Sequence, residues 1–122
     1  MIVGIGLDLT EIGRIEQACL KRETFPERVL TPSEMELYDR MTGFRKVEFL
    51  AGRYAAKEAF SKALGTGIGK VGFHDIEVLP DPKGRPTVTK SPFKGHAWIT
   101  ITHTAEIAAA QVVLERESGY FR

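Results

Sequence analysis

A single cysteine, Cys19, occurs in the 122 residues. That excludes an internal disulfide and a multi-cysteine metal site, and it suits a reducing compartment. Neither sign of charge is in excess: 17 Lys and Arg stand against 16 Asp and Glu, a net charge of +1. Such a balance points away from nucleic acid as a partner, so any charge-based recognition must come from local segregation. No apolar run approaches the ~20 residues that cross a bilayer, so no membrane segment is expected. Residues 1–9 are apolar but lack a cationic start and contain Asp8, unlike a signal peptide. Internal repeats, low-complexity tracts and linkers are also missing. What is present, 43% hydrophobic and 27% charged residues, is the balance of an ordinary globular protein. The expectation is one cytoplasmic domain over 1–122, large enough to bury a core without staples.

Ile2-Val3-Gly4-Ile5-Gly6-Leu7 reads as a buried strand whose glycines let another backbone or a ligand come close. A helix is predicted next, with Thr10 as N-cap. At 100° per residue, Ile12, Ile15 and Cys19 fall on its core face. Arg14, Ala18, Lys21, Arg22 and Phe25 fall on another side, a basic stripe ending in an aromatic. Thr31-Pro32-Ser33-Glu34 has Thr at the N-cap, Pro at N1 and Glu at N3, and predicts a second helix to about Met41, ended by Gly43. A third and longer helix is predicted over about 45–64, stopped by Gly65. Its apolar residues nearly encircle it, as in a buried central helix. Strands are predicted at 75–79, 86–89, 98–102 and 107–114. Helices early and strands late indicate an α+β fold, a long central helix on a mainly antiparallel sheet.

Glu58 lies on the long helix among Val47, Ala51 and Tyr54. An unpartnered carboxylate buried there costs several kcal/mol, roughly, so a cation is expected beside it. Two readings stand. Lys62, one turn on, forms an i,i+4 pair with Glu58; or Glu58 ligates a divalent cation while Lys62 holds a phosphate oxygen. Asp8 closes the first strand, where carboxylates often meet ligands, although a local hydrogen bond to the helix start is the commoner fate. Should Asp8 and Glu58 meet, the pair suits Mg²⁺, which takes one or two carboxylates and completes its shell with water and substrate phosphates. Gly4-x-Gly6 has Leu9 where a dinucleotide fingerprint needs a third glycine. The run Gly65-Thr66-Gly67-Ile68-Gly69-Lys70 follows a helix and lacks Ser or Thr after the lysine, which rules out a Walker A loop. His103 sits at a strand end, more often a structural position than a catalytic one. His74 and His96 have no zinc spacing.

In order, these segments resemble the small bacterial holo-acyl-carrier-protein synthases, which belong among the 4′-phosphopantetheinyl transferases. The resemblance spans nearly the whole chain: residues 4–15, 25–31, the most specific stretch 49–65 with Ala55-Ala56-Lys57-Glu58-Ala59 and Lys62, then 75–78, Gly84-Arg85-Pro86 and Thr102-His103-Thr104. It departs at Tyr54, where Trp is common, at Thr102, where Ser usually precedes the histidine, and at Ile107, where an aromatic is frequent. The resemblance implies transfer of phosphopantetheine from coenzyme A to a serine of an apo acyl carrier protein, for fatty acid biosynthesis. It implies Asp8, Glu58 and Lys62 as catalytic residues and Mg²⁺ on Asp8 and Glu58. For coenzyme A it implies contacts from Ser61, Lys62, Gly65, Arg85, Pro86, His103 and Thr104. It also implies a homotrimer with active sites between protomers. Because carrier proteins are acidic, the stripe of Arg14, Lys21, Arg22 and Phe25, joined by Arg28, becomes the expected carrier surface; a plain solvated helix face is the other reading. A non-catalytic coenzyme A or nucleotide-binding module is the alternative function. A pure interaction protein is a third, which leaves Glu58 unexplained.

Overall fold

The computed structural model describes residues 1–117; the last five residues of the domain expected over 1–122 lie outside the described residues. The order is β1 (Ile2–Glu11), α1 (Ile12–Lys21), α2 (Phe25–Val29), α3 (Pro32–Arg40), α4 (Gly43–Leu64), a 3-10 turn (Phe73–Asp75), β2 (Glu77–Pro80), β3 (Pro86–Lys90), β4 (His96–His103) and β5 (Ile107–Glu115). This is the expected α+β arrangement. β5 is the middle strand of a three-stranded antiparallel sheet, with β1 and β4 on its edges, while β2 and β3 form a separate antiparallel hairpin. Among the described residues no helix is long and apolar enough to cross a membrane.

The long helix α4 lies close across the inner face of the larger sheet because at Gly4 and Gly6 β1 has no side chains in the way. A Cβ on Gly4 would run into the carbonyl oxygen of Ala63, and one on Gly6 into that of Ala59. The pair of glycines therefore sets the closest approach of strand to helix. Around α4 two groups of apolar side chains are buried. Phe60, Ile76, Val78, Val112 and Leu114 fill one, and Ile12, Ile15, Val29, Leu30 and Leu50 fill the other. Each large side chain fully buried this way stabilises the fold by ~1.5–3 kcal/mol. Gly65 ends α4 in the left-handed region, φ 82°, as its C′ position predicts.

Four local expectations are corrected. Thr10 is not an N-cap: it pairs with Ala108 in the sheet, and Glu11 occupies the cap without a side-chain bond. A ladder that runs to Glu11 takes the β-branched Thr10 into the strand. Phe25 is not on the first helix, which ends at Lys21, but begins a separate α2 that goes unannounced in sequence, since five residues are too few to show a period. Gly43 begins α4 rather than ending α3, which stops at Arg40. The first late strand starts at Glu77, because a 3-10 turn takes residues Phe73–Asp75. The second helix starts as read, with the full reciprocal capping box between Thr31 and Glu34.

Alternation along β1 turns Gly4, Gly6, Asp8 and Thr10 toward α4 and the other set outward. The outward residues Val3, Ile5, Leu7 and Leu9 are between 43% and 67% exposed. Register continues this face: Val113 of β5 stands opposite Ile5, and Trp98 of β4, 56% exposed, stands opposite Val113. One side of the sheet, apart from Gln111, Thr100 and Thr102, is thus apolar and uncovered within a single chain.

Candidate active site

On the inner face of β1, Asp8 meets α4 where Glu58 and Lys62 face α1. All three line one cavity of about 500 Å³, together with Arg14, Phe25 and Tyr54. Lys62 Nζ donates to Asp8 Oδ1 at 3.0 Å and to the carbonyl of Leu7 at 3.1 Å. Thr10 Oγ1 donates to the other Asp8 oxygen at 2.8 Å. The i,i+4 pair of Glu58 with Lys62 does not form; the lysine crosses to the strand instead. Burial pushes the Glu58 carboxyl above its ordinary range, and the charge of Asp8 adds to this, while the hydroxyl of Tyr54 and the ammonium of Lys62 oppose it. Tyr54 is raised by burial first and by Glu58 second. Three carboxylates, Asp8, Glu11 and Glu58, line this cavity against two cations, Arg14 and the Lys62 bound to Asp8, which leaves the site short of positive charge. Among the described residues no three or more His, Cys, Asp or Glu side chains cluster to cage a metal. The donor set therefore fits an ion that takes two carboxylates and finds its other ligands elsewhere, as Mg²⁺ does beside a diphosphate.

The basic stripe borders this cavity. Arg14 lies in its wall, and Lys21, Arg22, Phe25 and Arg28 line an adjoining cavity of about 330 Å³. Ala18, Phe25 and Tyr54 belong to both. The ring of Tyr54 packs between Phe25 and Phe73, at centroid distances of 6.2 and 5.4 Å. An apolar floor rimmed by four cations suits an acidic surface that also offers apolar side chains.

His103 and Pro86 sit on the far side of α4. With Arg45, Gly52, Arg53 and Ile101 they line a separate cleft of about 310 Å³. Arg53 stacks on Phe49 at 4.2 Å and donates to the carbonyl of Val78 at 3.1 Å. Burial lowers it to about 10, so it stays cationic at neutral pH. His103 Nδ1 lies 3.1 Å from Glu48. The register explains the separation: Asp8 pairs with Ala110 on one edge of the inner face, His103 with Ala108 on the other, and α4 lies between.

Four expected contacts have local partners. Ser61 is fully buried, and its hydroxyl donates to the Glu58 carbonyl at 2.8 Å, so it lines neither cavity. Its carbonyl accepts from the amides of Gly65, Thr66 and Gly67, at 3.0, 3.2 and 3.4 Å. Thr104 Oγ1 accepts from the amides of Glu106 and Ile107 and shapes the turn between β4 and β5. Arg85 is tied at 2.9 Å to Asp81 in the β2–β3 turn. Arg45 and Arg53 were not singled out in sequence. Their i,i+8 spacing with Phe49 between them was the available signal, hidden by the near-continuous apolar pattern of the helix.

The comparisons agree with this architecture. A profile described as the 4′-phosphopantetheinyl transferase superfamily matches residues 4–113. A holo-[acyl-carrier-protein] synthase of Streptococcus suis is 54% identical over 117 residues, 96% of this chain and 98% of that one. One of Enterococcus faecalis is also 54% identical, over 96% of this chain and all of its own. Among solved structures, the holo-(acyl-carrier-protein) synthase of Bacillus anthracis, in complex with CoA (3′,5′-ADP), superposes with a TM-score of 0.90 at 49% identity, covering 96% of this chain and 99% of that one. The Helicobacter pylori enzyme in complex with coenzyme A gives 0.81 at 39% identity, covering 91% and 99%. With a match in sequence and in fold over nearly its whole described length, the chain belongs to the holo-[acyl-carrier-protein] synthases of the 4′-phosphopantetheinyl transferase superfamily.

Proposed function

We propose that this chain, as one cytoplasmic transferase domain over 1–122, transfers 4′-phosphopantetheine from coenzyme A to a serine of an apo acyl carrier protein, with Mg²⁺ held by Asp8 and Glu58. The observation that carries the reading is the convergence of Asp8, Glu58 and Lys62 on one cavity edged by Arg14, Lys21, Arg22, Phe25 and Arg28. A non-catalytic coenzyme A module needs no such pair of carboxylates beside a basic edge.

The serine hydroxyl gives up its proton, to Glu58 or to water in the site, as its oxygen bonds to the β-phosphorus of coenzyme A; the bond from that phosphorus to the bridging oxygen breaks, and its electron pair leaves on adenosine 3′,5′-bisphosphate. Bound Mg²⁺ offsets charge on the diphosphate, as metals do in phosphoryl transfer generally. Lys62 is half exposed and reaches Asp8 from α4. With a cation on the carboxylates its ammonium would be released toward the diphosphate, where it would stabilise the leaving phosphate. Arg14 and the stripe beyond it hold the acidic carrier so that its serine enters beside Glu58. His103 and Pro86, with Arg45 and Arg53, take the nucleotide end. Gly65 lies near the diphosphate, and Arg85 and Thr104 shape the loops around the nucleotide.

These two sets of residues lie on opposite sides of α4, so one chain does not close a site around a whole coenzyme A. The uncovered apolar face of Val3, Ile5, Leu7, Leu9, Val113 and Trp98 supports a homotrimer in which the carboxylate cavity of one protomer meets the histidine cleft of its neighbour. Steady-state turnover of Asp8→Ala and Glu58→Ala tests the metal assignment. Each is expected to lose roughly 10²–10³-fold or more in kcat, the scale for removing charge stabilisation of a transition state. Thermal unfolding near the wild-type temperature would show that the fold survives. Full activity of either variant at ordinary Mg²⁺ would overturn the assignment.

A further inference from the structure

One buried group lies next to the candidate site in sequence and does not enter it. Lys57 precedes Glu58 on α4 but points 100° away, into the protein, where its side chain and that of Glu34 are both 0% exposed. Its ammonium has three donors and fills all three: Glu34 Oε1 at 2.6 Å, the carbonyl of Val29 at 2.6 Å and the carbonyl of Phe73 at 3.0 Å. Glu34 in turn accepts from the amide of Thr31 on Oε1 at 2.8 Å and from the amide of Val78 on Oε2 at 2.7 Å. Thr31 Oγ1 donates to Glu77 at 2.5 Å. Five segments are thereby tied at one point: the end of α2, the start of α3, α4, the 3-10 turn and β2.

A buried ion pair is weak evidence of stability, since apolar residues of the same volume often serve as well. Its five charge-assisted bonds to fixed backbone and side-chain atoms define a geometry instead. Two of the fixed atoms matter for recognition. Val29 ends α2, the helix that presents Phe25 and Arg28 to the second cavity. Phe73 brings its ring against Tyr54, which packs on Phe25 and lines both cavities. We infer that Lys57 and Glu34 are positioning residues for the carrier protein: Glu34 holds the Lys57 ammonium, whose bonds to Val29 and Phe73 set the height of Phe25 and Arg28 over the cavity wall that holds Glu58. The inference rests on the proposed reaction. Neither residue touches a substrate or the carboxylate cavity.

The test is kinetics with the carrier and coenzyme A varied separately, on the double variant Lys57→Met/Glu34→Leu, which removes both charges and leaves none buried alone. Displacing a recognition element by about an ångström costs on the order of tenfold or more. The KM for carrier is expected to rise about tenfold, with the KM for coenzyme A and the Mg²⁺ requirement within about twofold of wild type. Adding Arg28→Ala is expected to weaken carrier binding less in this background than in wild type, since Arg28 no longer stands where the carrier meets it. Should the double variant not fold, Lys57→Arg carries the same measurement. It keeps a cation beside Glu34 while altering the bonds to Val29 and Phe73, and is expected to raise the carrier KM alone, by about threefold. Equal changes in both KM values, or a lower unfolding temperature with both KM values unchanged, would overturn the inference. Wild-type protein without turnover would instead remove the proposed function beneath it.

Discussion

Glu58, the proposed metal ligand, is held against the interests of the fold. Burial and the facing Asp8 keep its carboxyl above the ordinary value of 4.5. The folded state therefore holds that proton more tightly than the unfolded chain. Stability linked to Glu58 is complete below 4.5 and declines as the pH rises through the raised value. In metal-free protein, Glu58→Gln, which mimics the protonated form, is expected to unfold at a higher temperature than wild type at pH 7–8 and at the same temperature near pH 4 (values chosen to bracket the transition, roughly). Calorimetry in EDTA at the two pH values checks this. A Gln variant that is less stable at neutral pH would mean that Glu58 is satisfied without a cation. The partner of Lys62 was the part of this site that sequence did not reveal. Spacing offered Glu58, four residues away, but the ammonium bonds Asp8, 54 residues away, because β1 is packed directly on α4. Lys57 was hidden for a related reason: a lysine in a helix reads as a solvated residue unless its counterion, 23 residues back, is known to be buried with it.

At the scale of elements, the two carboxylates meet because of what β1 lacks. Gly4 and Gly6 bring the strand against the carbonyls of Ala63 and Ala59, one residue on from Lys62 and Glu58 respectively. Those glycines were legible as sites of close approach, and the helix that fills the space was legible from its all-round apolar pattern. The capping box at Thr31 was equally plain, but only as a helix start. That Glu34 is also a buried counterion depends on α4 and β2, which its own helix does not announce. Gly6→Ala is expected to lower stability by roughly 1–3 kcal/mol, because the added methyl meets backbone rather than a side chain that yields. It is also expected to cut turnover more than the loss of folded protein explains, since Asp8 is two residues along the displaced strand. Chemical denaturation and single-substrate kinetics on the same preparation separate the two effects. Unchanged turnover per folded molecule would disconnect the strand–helix spacing from the site.

Within one chain the parts of the molecule do not close. The carboxylate cavity and the histidine cleft lie on opposite sides of α4, and the outer face of the larger sheet is left apolar. The motif order in the sequence was enough to place the chain in its family, whereas the separation of the two clefts required the register of β1, β5 and β4. Leu7 belongs to that outer face and is 57% exposed, so Leu7→Glu is expected to leave the isolated fold stable. In the proposed trimer the charge would be buried against apolar residues. Sedimentation should show the variant as single chains and the wild type as the proposed trimer, with turnover falling in parallel. A variant that stays assembled and active would move the interface elsewhere.

The account as a whole stands on a metal-dependent transfer. Its direct measurement is the intact mass of an apo acyl carrier protein incubated with this protein, coenzyme A and Mg²⁺, beside a control in EDTA. The expected result is a gain of one phosphopantetheine with Mg²⁺ and none in EDTA. A carrier of unchanged mass, with coenzyme A nonetheless bound to the protein, would contradict it and leave a binding module in which Asp8 and Glu58 serve the fold.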